Sequence, residues 1–376
     1  MILTYEEIDR EEWSRLVKTS ATGTWFQTPE AYCFYESMPE FFRPFVVGIA
    51  SPQPSPKGKG EIPTPDSSPI KKECFASIWG ALRGVCVGYV TKEKNAIKQY
   101  FTRRAIIIGG PALADDASSE EVEALLCALK SSLLSGRDGV GLPPIYIETR
   151  NFNDYSRWKG AFEKAGFEYQ KHLNFHVDCT DKEAMWERMS ENRCRQVRKA
   201  HATVECLMNE GISELEVREW YEILKELYRT KVKTPLWPVE FFIEAYRQGV
   251  GKFLLVKHEG KIIGGSMVVE WKPSLQGGVG GRLGTVYEWF ECGMNAQYKD
   301  QYPSVCATYS GMRYATENGI ARYDMMGAGE PGVPYGVRDF KAEFGGKMVE
   351  HGRFLFVEAP LLYKIGRLAI KVLKGI

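Results

Sequence analysis

The second half of this 376-residue chain repeats the order of secondary-structure signals found in the first. In the first half "FFRPFVVGIA" (41–50) and "ECFASIWGAL" (73–82) read as a strand pair, and "RAIIIGGPAL" (104–113) as a buried strand ending in a glycine turn. Thr28-Pro29-Glu30 reads as an N-cap with proline at the first helical position, for a helix running to about Met38. An acid-started amphipathic helix (118–134), the strand "PPIYIETR", a glycine-closed helix (153–166) and the strand "FEYQKHLNFHVDC" complete the unit.

The second half opens on a helix predicted over Lys182–Ala202 and on another with the stripe Leu215, Trp220, Ile223, Leu224, Leu227 and Tyr228. The pattern then resumes. "KFLLVKHEGKIIGGSMVVEW" is a hairpin turning at Glu259-Gly260, "TVYEWFECGMN" a strand, "SVCATYSGMRYATENG" a helix and "ARYDMMGAG" a strand that breaks into glycines. Two α/β domains with mixed sheets are therefore expected, over 1–178 and 179–358, with a cleft between the copies as the default ligand site. The length agrees, since one core seldom serves more than about 250–300 residues.

Lys and Arg number 49 against 48 for Asp and Glu, so any contact with nucleic acid or membrane must come from a local patch. The nine cysteines are scattered and never form C-x-x-C, which argues against a disulfide framework or a zinc site and for a reducing compartment. The acidic start "MILTYEEIDREEW" lacks the form of a secretory signal, and no run of 18 apolar residues occurs, so a cytoplasmic protein is expected. Residues 51–72 carry six prolines without apolar periodicity and read as a disordered loop insertion. The tail 359–376 reads as a basic amphipathic helix with Lys364, Arg367, Lys371 and Lys374 on one arc. Docking on its own domain and peripheral contact with an anionic membrane both fit that pattern.

The run "RMSENRCRQVRKAH" (188–201) is the most informative local feature. On one continuous helix Arg193 falls on the buried stripe of Trp186, Met189, Val197 and Ala200, so it needs an acidic partner or a bound anion. With Arg195, Arg198 and Lys199 beside it, the helix reads either as a phosphate clamp or as a solvated surface. "QGGVGGRLG" (276–284) does not fit G-x-G-x-x-G and precedes a strand, so it is no phosphate loop. His172 and His176 lie four strand residues apart, roughly 13 Å, too far to share a metal, and read as a wet strand face.

Taken in order, "TWFQTPEAY", the basic helix ending "VRKA", "ENGIARYDMMGAG" and "DFKAEFGG" resemble the FemABX peptidyltransferases, aminoacyl-tRNA-dependent enzymes of cell-wall peptide synthesis. The resemblance covers essentially the whole chain. It implies two tandem domains of the Gcn5-related N-acetyltransferase (GNAT) kind, with the catalytic cleft in the second. It places Lys341, preceded by Phe340, at the reaction centre, where it would steady the oxyanion formed as an amine attacks an aminoacyl ester. By the same matching Arg195, Arg198 and Lys199 belong to the family's basic helix and Asp324 to the strand lining the cleft; with Arg193 and Phe340 they are expected to bind substrate, and Tyr287 is a further expected catalytic residue of the cleft. Where cell-wall members often carry a lysine that helps hold a nucleotide-linked precursor, "EAYCFYESM" has no basic residue.

The expected activity is thus transfer of an amino acid from aminoacyl-tRNA to an amine of a peptidoglycan or lipid-linked precursor, with no metal and no cofactor beyond the donor. Two rivals remain at this point. One is a GNAT-type N-acyltransferase using acyl-coenzyme A or a carrier protein, and the other is a non-catalytic tandem module that binds an anionic envelope precursor.

Overall fold

The computed structural model describes residues 1–51, 80–135, 142–273 and 284–374, side chains of 370–374 excepted. The Pro-rich insertion, apart from Ser51, and most of "QGGVGGRLG" lie outside the described residues. The chain forms two mixed sheets with helices packed on them. In the first, Ile2–Leu3, Phe42–Ala50, Leu82–Thr91, Ala105–Gly109, Tyr146–Asn151, Arg353–Val357 and Glu168–Gln170 lie side by side in that order, and Ala112–Leu113 pairs with Leu82–Thr91. In the second the order is Lys347–Glu350, Leu173–Asp178, Arg322–Asp324, Thr285–Gly293, Lys261–Trp271, Lys252–His258 and Glu205–Met208.

Each sheet contains one parallel pair, Ala105–Gly109 with Tyr146–Asn151 and Thr285–Gly293 with Arg322–Asp324. A helix joins each pair, Ser119–Leu134 in one half and Pro303–Glu317 in the other, as a parallel connection requires. The repeated order read from the sequence is therefore present in three dimensions.

The two halves exchange strands. Leu173–Asp178, expected to close the first unit, lies in the second sheet, while Arg353–Val357 returns from the end of the chain to the first. There Phe354 stacks on Phe162 at 3.9 Å between ring centres. Local pattern marks both segments as strands, but the choice of sheet depends on partners far away in the chain, which propensity does not encode.

Two local expectations change, and a third falls mostly outside the described residues. Of the strand expected over 73–82, residues 73–79 lie outside the described residues, and Phe42–Ala50 pairs with Leu82–Thr91. That strand contains Gly88, where a Cβ would come within 2.5 Å of the Ile106 carbonyl and the Phe45 ring, so close strand packing explains a glycine that weakens the strand signal. The single helix expected over Lys182–Ala202 is two, Lys182–Glu187 and Glu191–His201, because the Ser190 side chain accepts from Arg193 N and starts a new helix. Leu215 is 65% exposed and leaves its stripe, which Val217, Trp220, Tyr221 and Leu224 form instead.

Between the halves lies an aromatic core shared by both. Phe26, in the short turn Trp25–Gln27, meets Tyr287 and Trp289 edge-on at 5.5 and 5.0 Å, and Phe34 meets Phe241 at 5.6 Å. Gln27 locks the turn in place by donating to the carbonyls of Val87 and Ile108 and accepting from Val87 N. The cleft is thus held between rigidly joined walls.

Candidate active site

Thr285–Gly293 and Arg322–Asp324 pair only over Thr285–Tyr287, and beyond that point they separate. Met326 (φ 50°) and Gly327 (φ 120°) turn the second strand away, leaving one edge of 288–293 open. Into this opening the helix Gly336–Ala342 sends Lys341. Its ammonium donates to the carbonyls of Met325 and, at 3.0 Å, Gly327, and stands 3.7 Å from Glu288 Oε2. An ammonium has three hydrogens, so one remains to face Glu288 or a bound oxygen.

Glu288 and Glu291 reach this space through a fault in the sheet. Val268 lies opposite Glu288 and Met267 opposite Phe290, so Trp289 is an extra residue, a β-bulge. Without it residues 288 and 291 would project from opposite faces; the bulge flips the alternation and both line the cleft. Glu288 Oε1 accepts from Thr308 Oγ1 at 3.0 Å and Tyr323 OH at 2.7 Å. Glu291 Oε1 is buried with no hydrogen-bond partner among the described residues. Burial, then repulsion from Glu288, raises the Glu291 pKa to about 8, against the opposing pull of Ser304 and Lys341.

A clamp fixes the lysine. Phe340 and Phe344 flank the Arg193 guanidinium, each ring centre 4.6 Å away, and Arg193 donates to the Phe340 carbonyl and pairs with Glu343 at 3.4 Å. Ser190 N and Oγ also bond to Glu343. Gly345 follows with φ 75°, where a Cβ would meet the Arg188 carbonyl at 2.3 Å, so only glycine fits this approach. The spacing of "FKAEFGG" is thereby explained: two rings hold an arginine, a lysine faces the cleft, and a glycine lets the chain pass.

The cleft has a volume of about 2630 Å³. A drug-sized ligand needs about 300–1,000 Å³, so two substrates can lie there side by side. The wall from the first sheet is basic. Arg150 and Arg353 hold Glu148 at 3.0 and 2.9 Å; burial works against its ionised form, but the two guanidiniums prevail and lower its pKa to about 2. Arg104 faces the same space, and its Nε is buried without a partner among the described residues.

The other site residues expected from the sequence are dispersed. Arg193 is buried, but its anion is Glu343 of this chain rather than a substrate phosphate. Arg195, Arg198 and Lys199 are exposed outside the cleft, against Asn192, the Trp186 ring and Asp300 respectively. Asp324 is fully buried and does not line the cleft; its Oδ1 accepts from Asn174 Nδ2 and Met326 N, and Oδ2 lies 3.0 Å from His176 Nε2. Tyr287 is fully buried on the opposite face from Glu288, packed on Phe26 and Phe152, because alternation along the strand turns it away from the cleft. His172 and His176 do not form a wet face: His172 accepts from Arg353 in the cleft wall, where burial lowers its pKa to about 3, and His176 meets Asp324. Glu288 and Glu291 escaped the sequence reading, although two carboxylates in the otherwise apolar "TVYEWFECG" were a signal.

Comparison with known proteins gives three findings. Residues 273–371 match the model of the FemAB family. The solved structure of FemX superposes with a TM-score of 0.63 at 12% identity, covering 97% of this chain and 99% of that one. A tandem GNAT protein from the clavulanic acid biosynthesis pathway, solved without AcCoA, gives 0.53 at 8% identity over 95% and 98%. These likenesses show the fold, two tandem GNAT-like domains. Among curated proteins no sequence matches.

Proposed function

From the match of residues 273–371 to the FemAB family and the FemX-like fold, we propose that this chain is a transferase of the FemABX kind that joins an aminoacyl group, carried as a tRNA ester, to an amine of a peptidoglycan or related cell-envelope precursor. The observation that carries this reading is Lys341, a part-buried ammonium at the mouth of the splayed strands with one hydrogen not taken by a backbone carbonyl. Attack of an amine on an ester makes a tetrahedral oxyanion, and a fixed donor aimed at that charge is worth a few kcal/mol. Phe340 holds the Lys341 helix against Arg193 and also lines the cleft, so it can both position the lysine and touch substrate. The basic wall with Arg104 and Arg150 suits the anionic part of an acceptor.

Arg195, Arg198 and Lys199 lie outside the cleft, where they could meet only a donor extending beyond it. A tRNA is such a donor, and phosphate contacts of this kind would make transfer salt-dependent. At the rim, the helix Pro360–Lys374 exposes Leu361, Ile365 and Leu368 by 72, 46 and 63%, beside Lys364 and Arg367. The helix Ala96–Thr102, packed against it, exposes Ile97, Tyr100 and Phe101. Apolar side chains beside cations suit the surface of an anionic bilayer, which would bring a lipid-linked acceptor to the cleft.

The test is transfer of radiolabel from a mixed aminoacyl-tRNA pool into nucleotide-linked and lipid-linked peptidoglycan precursors, with and without RNase. RNase-sensitive label in either fraction supports the reading. The likeness to a tandem GNAT protein favours a second donor, acyl-coenzyme A, and transfer from it that RNase leaves intact would put that donor first. No turnover from either donor, with an active control enzyme, would leave a binding module.

A further inference from the structure

We propose that Glu291 is the proton acceptor for the attacking amine, an assignment that rests on the transfer reaction above. Lys341 supplies charge for the oxyanion but, as an ammonium between two carbonyls, cannot take a proton. The amine must lose one as it becomes an amide. Glu291 lines the same cleft, placed on the face of Glu288 by the bulge at Trp289, and its buried Oε1 has no protein partner among the described residues. Buried carboxylate oxygens are normally satisfied, so an unpartnered one lining a substrate cleft marks where a ligand hydrogen belongs.

The step balances without a further reactant. The amine nitrogen bonds to the ester carbonyl carbon, and Glu291 takes the proton that the nitrogen sheds. The C–O bond to the donor then breaks, and Glu291 returns the proton to the departing alkoxide, ending as the carboxylate it began as.

The surroundings tune the group for this work. Glu288 faces it from its own strand and Lys341 from the helix Gly336–Ala342. Ser304, at the start of Pro303–Glu317, accepts from Asn295 at 2.7 Å and favours the ionised Glu291, while Glu291 Oε1 keeps no partner among the described residues. Ser266, directly across the strand pair, is uncharged. One like charge, one opposite charge and burial leave a carboxyl that exchanges its proton near neutral pH, the condition a general base needs. Glu288, by contrast, commits Oε1 to Thr308 and Tyr323 and turns Oε2 toward the Lys341 ammonium at 3.7 Å, which suits it to steady the lysine rather than the amine.

The experiment is the pH dependence of kcat and of KM for the amine in wild type, Glu291→Gln and Glu291→Asp, with melting temperatures to confirm folding. Expected are a fall of about 10²-fold or more in kcat for the Gln variant with KM little changed, and loss of the rise in rate through pH of about 8. Glu291→Asp should be slow yet keep that rise, and serves alone if the Gln variant fails to fold. A Gln variant with wild-type kcat, or one whose loss appears only as a raised KM, would overturn the assignment while leaving the transferase reading intact. A wild-type protein inert with every donor would remove that reading, and this role with it.

Discussion

Lys341 and Glu288 form a buried pair, 3.7 Å apart, with 12 and 4% of their side chains exposed, at the point where two paired strands separate. Burial does most to raise the Glu291 pKa, and the pair adjusts it, Glu288 upward and Lys341 downward. Glu288→Gln keeps the acceptor for Thr308 and Tyr323 but removes the repulsion. The rise in rate with pH should therefore move to lower pH in this variant, which a pH–rate profile reads directly.

Arg193 acts on Lys341 through position. Arg193→Ala removes two cation–π contacts, a bond to the Phe340 carbonyl and the partner of Glu343, and should lower stability by roughly 2–4 kcal/mol together with kcat. Arg193→Lys should rescue little, since a planar guanidinium fills the slot between the rings. Urea unfolding paired with kcat measurements checks both.

Arg195, Arg198 and Lys199 should behave in the opposite way. Exposed and loosely paired, each changed to Ala should alter stability by less than about 0.5 kcal/mol. If they meet a tRNA, the triple variant raises KM for aminoacyl-tRNA and flattens its salt dependence, leaving the KM of the acceptor unchanged.

Two carboxyls give opposite pH dependences of stability. The Glu291 pKa is raised on folding from 4.5 to about 8, so its contribution is intact below 4.5 and is lost as pH climbs to about 8, by at most about 1.4 kcal/mol per unit. Glu291→Gln should thus be more stable than wild type at pH 8 and equal to it at pH 4. The Glu148 pKa is lowered from 4.5 to about 2, so its stabilisation stands above 4.5 and is lost as pH falls toward 2. Glu148→Gln should lower stability at neutral pH by roughly 3 kcal/mol, because Arg150 and Arg353 lose their shared partner. Urea midpoints across pH separate the two.

At the rim, Leu361→Glu, Ile365→Glu and Leu368→Glu together should abolish co-sedimentation with phosphatidylglycerol vesicles while leaving transfer to a water-soluble acceptor unchanged. Equal sedimentation of wild type and variant would show that the helix serves another surface.

What the sequence carried well was local. Thr28 accepts from Ala31 N at the start of Pro29–Glu36, and Gly260 turns the hairpin at φ 77°, as their residue types foretell, with Glu259 beside it at φ 50°. What it hid was long-range or depended on parity. The sheet that takes Arg353–Val357 is decided by Thr149 and Tyr169, some two hundred residues earlier in the chain. The anion of Arg193 was on a helix 150 residues away. The resemblance put Tyr287 in the cleft and passed over Glu291; ordinary strand alternation turns Tyr287 to the face opposite Glu288, and one inserted residue at Trp289 brings Glu291 onto the Glu288 face.

The central claim is that Lys341 steadies charge formed during acyl transfer, and single-turnover transfer from aminoacyl-tRNA by wild type and Lys341→Ala tests it most directly. The account predicts a fall of about 10²–10³-fold in the chemical step, with donor binding changed far less. Equal rates in the two proteins would contradict it and leave Lys341 as the counterion of Glu288.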